Sequence, residues 1–240
     1  MSHTFKTLDR EPVYVKVSRA IEEDILSGAL AEGALLPTEG ALCEQFGVTR
    51  SSVREGIRLL EQSGLVERGP AKRLVVRAPK ISEIAATASK SLAHGGATFR
   101  EVWETLALFY PQAAKAAATQ LSAESIGELR AINARLRGGD NGDVIVESAV
   151  EFFQTIAAGL DNRVMLAMLQ SLNMMIGASL ALVIGRTPQA KKRIEDAQAE
   201  IIEALEAGDE GKATRWMTRH IDDLMRGYQV AKVDLDARIL

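Results

Sequence analysis

The chain has 240 residues, of which 47% are apolar and 25% charged, with a formal charge of −3. At about 100–200 residues per domain this is one large domain or two small ones, each long enough to bury a core. The composition excludes a wholly disordered, collagen-like or disulfide-stapled chain. Cys43 is the single cysteine and the first ten residues, MSHTFKTLDR, carry no apolar run, so a cytoplasmic protein is expected.

Charge is unevenly spread. Residues 1–49 hold four basic and eight acidic side chains, 50–80 hold eight and three, and the remainder hold seventeen and twenty-one. One short cationic segment (+5) therefore sits inside an acidic protein.

From Val13 to Leu26 the apolar residues Val13, Val17, Ala20, Ile21 and Ile25 recur at helical spacing, and Gly28 follows as a stop. Leu36-Pro37-Thr38-Glu39 reads as a turn into a short helix over Gly40 to Phe46, with Leu42 and Phe46 inward. Gly47-Val48 breaks it. Thr49 is a good N-cap for a third helix, in which Val53, Ile57 and Leu60 form one inward stripe and Gly64 ends the run. Residues 65–68 and 74–77 are β-prone and split by Gly69-Pro70-Ala71, the pattern of a hairpin. Three helices and a hairpin predict a winged helix-turn-helix over residues 1–78.

After Pro79 no β-prone runs remain, and six or seven helical segments follow, so residues 79–240 are expected to form an all-α bundle and the whole chain to be mainly α. Its inward stripes are Ile145, Ala149, Phe153, Ile156 and Leu160; Ile194, Ala197, Ile201 and Leu205; and Ala213, Trp216, Met217, His220, Ile221, Leu224, Met225 and Tyr228. Val164 to Gly185 carries no charge, a pattern shared by a membrane span and a wholly buried helix. Gln170, Ser171 and Asn173 near its middle, and the lack of a second span, favour the buried helix.

Arg50, Arg54 and Arg58 are four apart and fall opposite the Val53–Ile57–Leu60 stripe. A guanidinium forks onto guanine O6 and N7 or clamps a phosphate, and hydroxyls at a helix N-terminus, here Thr49, Ser51 and Ser52, bind phosphate oxygens. Lys72 and Arg73 at the hairpin tip are placed to reach an adjacent groove or the backbone. The competing reading is that these arginines only pair with Glu55 or Glu61 along the helix surface.

Leu36-Pro-Thr-Glu39, Gly47-Val-Thr-Arg-Ser-Ser-Val-Arg-Glu55 and Gly64-Leu-Val-Glu-Arg68 closely resemble the signature of the GntR family of transcription regulators, over roughly residues 13–77. The resemblance implies a homodimer that binds a palindromic operator in double-stranded DNA, with Thr49, Arg50, Ser51 and Arg54 at the bases and phosphates and the wing tip in the minor groove. Where many members have an arginine after Pro-Thr-Glu this chain has Gly40, a lost cation that is expected to weaken binding or alter the operator.

Phe152 to Asn162, Glu203 to Asp209 and Met217-Thr-Arg-His220 resemble the FCD effector domain of the family's FadR branch, over about residues 82–232. Many such domains hold a divalent metal through an Asp and three His. The matching positions here are Ala149, Phe153, Gln198 and His220, so no metal and no other cofactor is expected. An effector-binding arginine common near the domain start is replaced at about Leu106. Phe153, Gln198 and His220 are then candidates for holding a small, largely apolar effector, an acyl compound among them. The four residues Met165, Met168, Met174 and Met175 read either as core filling or as an adaptable pocket wall.

The expected function is thus an effector-modulated, DNA-binding repressor, not an enzyme and not a membrane protein. Two alternatives stay open on the sequence: a constitutive DNA-binding dimer with an inert helical core, and a helical-domain enzyme tethered to a DNA-binding module. No nucleophile–base pair or phosphate-cradling glycine motif supports the second.

Overall fold

The computed structural model describes residues 11–69, 73–187 and 189–239. The chain divides into two compact units, Met1–Lys80 and Ile81–Leu240.

In the first unit, α1 (Val13–Leu26), α2 (Glu39–Phe46) and α3 (Arg50–Gln62) precede the antiparallel pair β1 (Val66–Arg68) and β2 (Leu74–Val76), with Val66 opposite Val76 and Arg68 opposite Leu74. Val17 and Ile21 of α1, Leu42 of α2, Val53, Ile57 and Leu60 of α3, and Val66, Leu74 and Val76 of the hairpin close one core. Two expected inward residues lie at its edge instead: Phe46 and Val13 are exposed, since each is a terminal residue of a helix whose next turn does not exist to cover it. Residues 33–36, which lead into the turn expected at Leu36-Pro37-Thr38-Glu39, pair with the hairpin: the Leu36 amide donates to the Leu74 carbonyl and the Val76 amide to the Ala34 carbonyl, both at 2.9 Å. This extra rung buries Leu36.

The α2–α3 turn is set by Gly47 at φ +65°, a left-handed conformation that costs a β-carbon-bearing residue about 1 kcal/mol or more. Gly56 serves a different purpose. A β-carbon there would lie 2.9 Å from the Tyr14 carbonyl oxygen and 3.0 Å from Val17 Cγ1, so its absence lets α1 and α3 approach.

The second unit comprises α4 (Ile81–His94), α5 (Phe99–Gln120), α6 (Ala123–Gly138), α7 (Gly142–Ala158), α8 (Arg163–Arg186), α9 (Ala190–Glu206) and α10 (Glu210–Val230). Side-chain caps start five of them: Thr98, Ser122, Asn141, Asn162 and Asp209 each accept from a first-turn amide. The α7 and α9 stripes are buried throughout. On α10 the edges of the stripe, Trp216 and Met225, are only half-buried, and Arg219 lies over the Trp216 ring at 4.9 Å.

Helix α8 is not wholly buried. It is long and apolar enough to cross a membrane by length and composition, but Leu169, Ile176, Leu180 and Val183 face the core while Val164, Met168, Met174 and Leu182 are exposed. An uncharged helix has no polar face to mark which side the neighbours leave open. Its packing against α4, α5 and α7 decides that.

Candidate functional site

Helix α3 segregates its residues as its spacing predicts. Val53, Gly56, Ile57 and Leu60 are buried, whereas Arg50, Arg54 and Arg58 are exposed. At its N-terminus Thr49 Oγ1 accepts from the Ser52 amide, and lies 3.0 Å from Ser51 Oγ and 3.1 Å from Ser52 Oγ. Three hydroxyls thus crowd the positive end of the helix dipole, and its first turn carries no acidic residue to neutralise that end.

Arg54 Nε donates to Glu39 Oε2 at 2.8 Å. Hydrogen bonding and the charge of Glu39 raise the guanidinium pKa further above its already high value. The bond engages Nε and leaves the outer edge of the guanidinium facing solvent, with the side chain still two-thirds exposed. Glu39 is therefore a positioning partner for Arg54 across the helix-turn-helix. Sequence spacing gave no sign of it, because fifteen residues separate the two and no helical period links them.

Arg58 makes the surface pair expected of the competing reading, with Glu55 at 3.7 Å, and both side chains are largely exposed. Such a pair is worth little and breaks readily. Arg73 is exposed, but its guanidinium reaches back to the Leu36 carbonyl at 3.4 Å, a long bond that a phosphate would outcompete. Lys72 lies outside the described residues.

In the helical unit, Phe153 and His220 come together and Gln198 finds another partner. The Phe153 ring stacks on the imidazole with centroids 5.4 Å apart and planes 12° from parallel, and the Tyr110 ring packs against Phe153 at a tilt of 51° with centroids 4.5 Å apart. Gln198 Oε1 accepts from Asn133 Nδ2 at 3.2 Å. Tyr110 donates from its hydroxyl to Asn173 Oδ1 at 2.8 Å. Tyr110 and Asn133 carry no sequence signal of this role, and Asn173 is marked by its sequence only as a polar residue in an apolar run, because helical periodicity marks burial and not hydrogen bonding. Burial drives the His220 pKa down to about 4 and raises that of Tyr110, so both are neutral at pH 7.

These residues do not fit the divalent metal of related domains. Ala149 offers a methyl, Phe153 covers the imidazole with carbon, and the Gln198 oxygen is already engaged, so His220 Nε2 is left as a lone donor. Among the described residues no group of three or more His, Cys, Asp or Glu converges. Nor do they frame a ligand-sized space. Phe153, Gln198 and His220 are essentially inaccessible, and the gap that His220 shares with Thr187, Arg193 and Asp223 measures about 20 Å³, no more than one water occupies. The expected effector pocket at these three residues is filled by Phe153 itself. His94 stands exposed at the end of α4, away from the others.

A larger space opens elsewhere in the same unit. A cleft of about 520 Å³ lies between α4, α5 and α8, walled by Leu92, Val102, Phe109, Met168, Leu172 and Met175. Two of the four methionines singled out in the sequence are thus in a pocket wall. Met174 is exposed on another side of α8.

A winged helix-turn-helix with cations on the outer face of its third helix, followed in the chain by an all-α unit, defines a DNA-binding transcription regulator. The bacterial regulatory proteins of the gntR family match residues 13–76, and the FCD domain matches residues 101–223. The chain belongs to the gntR family and carries an FCD domain.

It is similar to the Glc operon transcriptional activator of Escherichia coli (strain K12), 29% identical over 211 residues that span 82% of this chain and 81% of the relative. It is also similar to the HTH-type transcriptional repressor NanR of Salmonella newport (strain SL254), 27% identical over 226 residues, 91% of this chain and 86% of that one. Among solved structures, Streptococcus agalactiae GntR superposes with a TM-score of 0.62 at 20% identity, covering 89% of this chain and 99% of that one, a likeness of fold. The gntR family and both of these relatives are transcription regulators.

Proposed function

We propose that the protein is a homodimeric, cytoplasmic repressor that binds a palindromic operator through α3 and whose occupancy of that operator is set by a small, largely apolar effector in the helical unit. The observation that carries the DNA reading is the exposed Arg50–Arg54 edge of α3, backed by a fully buried opposite face. Arg50 and Arg54 reach base edges, while Thr49, Ser51 and Ser52 take phosphate oxygens at the helix N-terminus. Lys72 and Arg73 follow the wing into the neighbouring groove, Arg73 exchanging the Leu36 carbonyl for a phosphate.

Two copies of one head read two half-sites, which is why a dimer and a palindrome go together. Repression is the simpler output, since a dimer that merely occupies the promoter needs no contact with polymerase. An effector shifts occupancy by preferring one arrangement of the dimer by a few kcal/mol.

The test begins with genomic fragments recovered on the purified protein. Arg50→Ala and Arg54→Ala are each expected to weaken binding to the recovered operator by roughly five- to 150-fold, the equivalent of about 1–3 kcal/mol for a lost guanine contact. Thr49→Val is expected to weaken operator and random DNA alike. Unchanged operator binding in both arginine variants would overturn the assignment of α3.

A further inference from the structure

The cleft between α4, α5 and α8 has the size of a small-molecule site and lies beside α8 residues that nothing else in the unit covers. At about 520 Å³ it falls inside the range of ligand pockets, whereas the gap at His220 is about 20 Å³. Its rim holds Leu92, Phe109 and Met168, apolar side chains that are 46%, 37% and 42% exposed, so an occupant would take three apolar groups out of water together.

Of the four polar side chains in the wall, Glu101, Thr105 and Ser171 present acceptors, and Ser91 is an exposed hydroxyl that both donates and accepts. Thr105 Oγ1 gives its proton to the Glu101 carbonyl at 2.7 Å, and Ser171 Oγ gives its own to the Ala167 carbonyl at 2.7 Å, so both turn only lone pairs toward the cleft. The Glu101 carboxylate is acceptor-only when ionised. It is held by the Thr98 amide and hydroxyl, both bonded to Oε2, and those bonds push its pKa below the ordinary carboxylate value. Glu101 is the one charged residue in the wall. Arg238 lies near, against Gly96 at the end of the cleft, without forming part of the wall.

We propose that this cleft is the effector site, and that it takes a compact apolar molecule whose polar end donates hydrogen bonds, as an amine or alcohol does, in preference to a carboxylate or phosphate ester. The proposal deepens the effector reading above and rests on it. An anion would face Glu101 at close range and find only the exposed Ser91 hydroxyl among the wall side chains to donate to it, leaving its charge poorly paired against an apolar wall. The site is also placed to act. Helix α4 forms one wall and follows β2 of the DNA-binding unit in the chain after residues 77–80, so a ligand that moves α4 against α8 moves the tether of the reading head.

The test uses the full-length protein without DNA, so its outcome is independent of operator binding. The probes are N-phenyl-1-naphthylamine, a neutral apolar fluorophore with one N–H donor, and its 8-sulfonate, which differs by one anionic group. The amine is expected to bind saturably, and the sulfonate roughly tenfold more weakly. Glu101→Gln keeps the acceptor oxygen of the Thr98 capping box and removes the charge, and is expected to narrow that gap. Ala88→Phe, which places a ring in the α4 wall, is expected to abolish amine binding with the thermal unfolding curve retained.

Equal binding of the two probes would overturn the proposal, as would a gap unmoved by Glu101→Gln or full amine binding to a folded Ala88→Phe protein. Should Ala88→Phe fail to fold, the Glu101→Gln comparison decides alone. If amine binding falls as protein concentration rises, the cleft is covered by a second copy of the chain and the proposal is likewise overturned. A protein that binds the amine as described but ignores its operator would refute only the DNA reading.

Discussion

His220 is an interior group whose ionisation the fold opposes within the accessible pH range, and replacing it isolates that cost. Burial lowers its pKa from 6.5 to about 4, and its Nε2 has no hydrogen-bond partner. Between those values the unfolded chain binds a proton that the folded chain refuses, so stability is fully present above pH 6.5 and is lost as pH falls toward 4. For one such site the loss from pH 7 to pH 5 is about 2 kcal/mol. Asp223 and Arg193 line the gap beside the ring, and Asp223 is paired with Arg226 at 3.6 Å. Neither contributes to the His220 shift, which is caused by burial alone.

In His220→Phe the ring still stacks on Phe153, and the adjoining gap of about 20 Å³ admits the slightly larger side chain. Urea unfolding at pH 7, 6 and 5 is followed by tryptophan fluorescence, because both tryptophans, Trp103 and Trp216, belong to the helical unit and report it without the DNA-binding unit. The wild type is expected to lose about 2 kcal/mol more than His220→Phe over that range, with all other titrations cancelling in the difference. Parallel pH profiles for the two proteins would refute the account of a neutral, desolvated imidazole.

Gly56→Ala is expected to destabilise the DNA-binding unit by about 1–3 kcal/mol in calorimetry, since the strain of a β-carbon 2.9 Å from the Tyr14 carbonyl outweighs the gain of about 1 kcal/mol in helix propensity; a more stable variant would show that α1 yields. Tyr110→Phe removes the donor to Asn173 Oδ1 and leaves a buried amide whose Nδ2 is already without a partner, an expected cost of about 1–3 kcal/mol in urea unfolding that the double change with Asn173→Leu should largely recover. EDTA is expected to leave the melting temperature unchanged, because Phe153 and Ala149 supply no lone pairs; a chelator-sensitive melting curve would show a metal held by other residues.

What could be known from residue order alone was whatever depends on short spacing. The α3 stripe, the arginine row on its far side, the Thr49 cap and the Gly47 turn each follow from periods of three and four or from a single backbone conformation, and the structure places all of them as expected. The inward stripes of α7 and α9 were legible for the same reason. Phe46 and α8 were not. A residue at a helix end, or on a helix apolar all round, has no local mark of which side its neighbours cover.

The remaining features came from contacts between distant parts of the chain. Arg54 meets Glu39 from another helix, Phe153 occupies the space beside His220 from α7, and the largely apolar cleft assembles from α4, α5 and α8. Periodicity tells which face of a helix turns inward but not what stands opposite it. Only tertiary packing sets that, because side-chain volumes from separate helices compete for one interior, and where they leave room is a property of their sum.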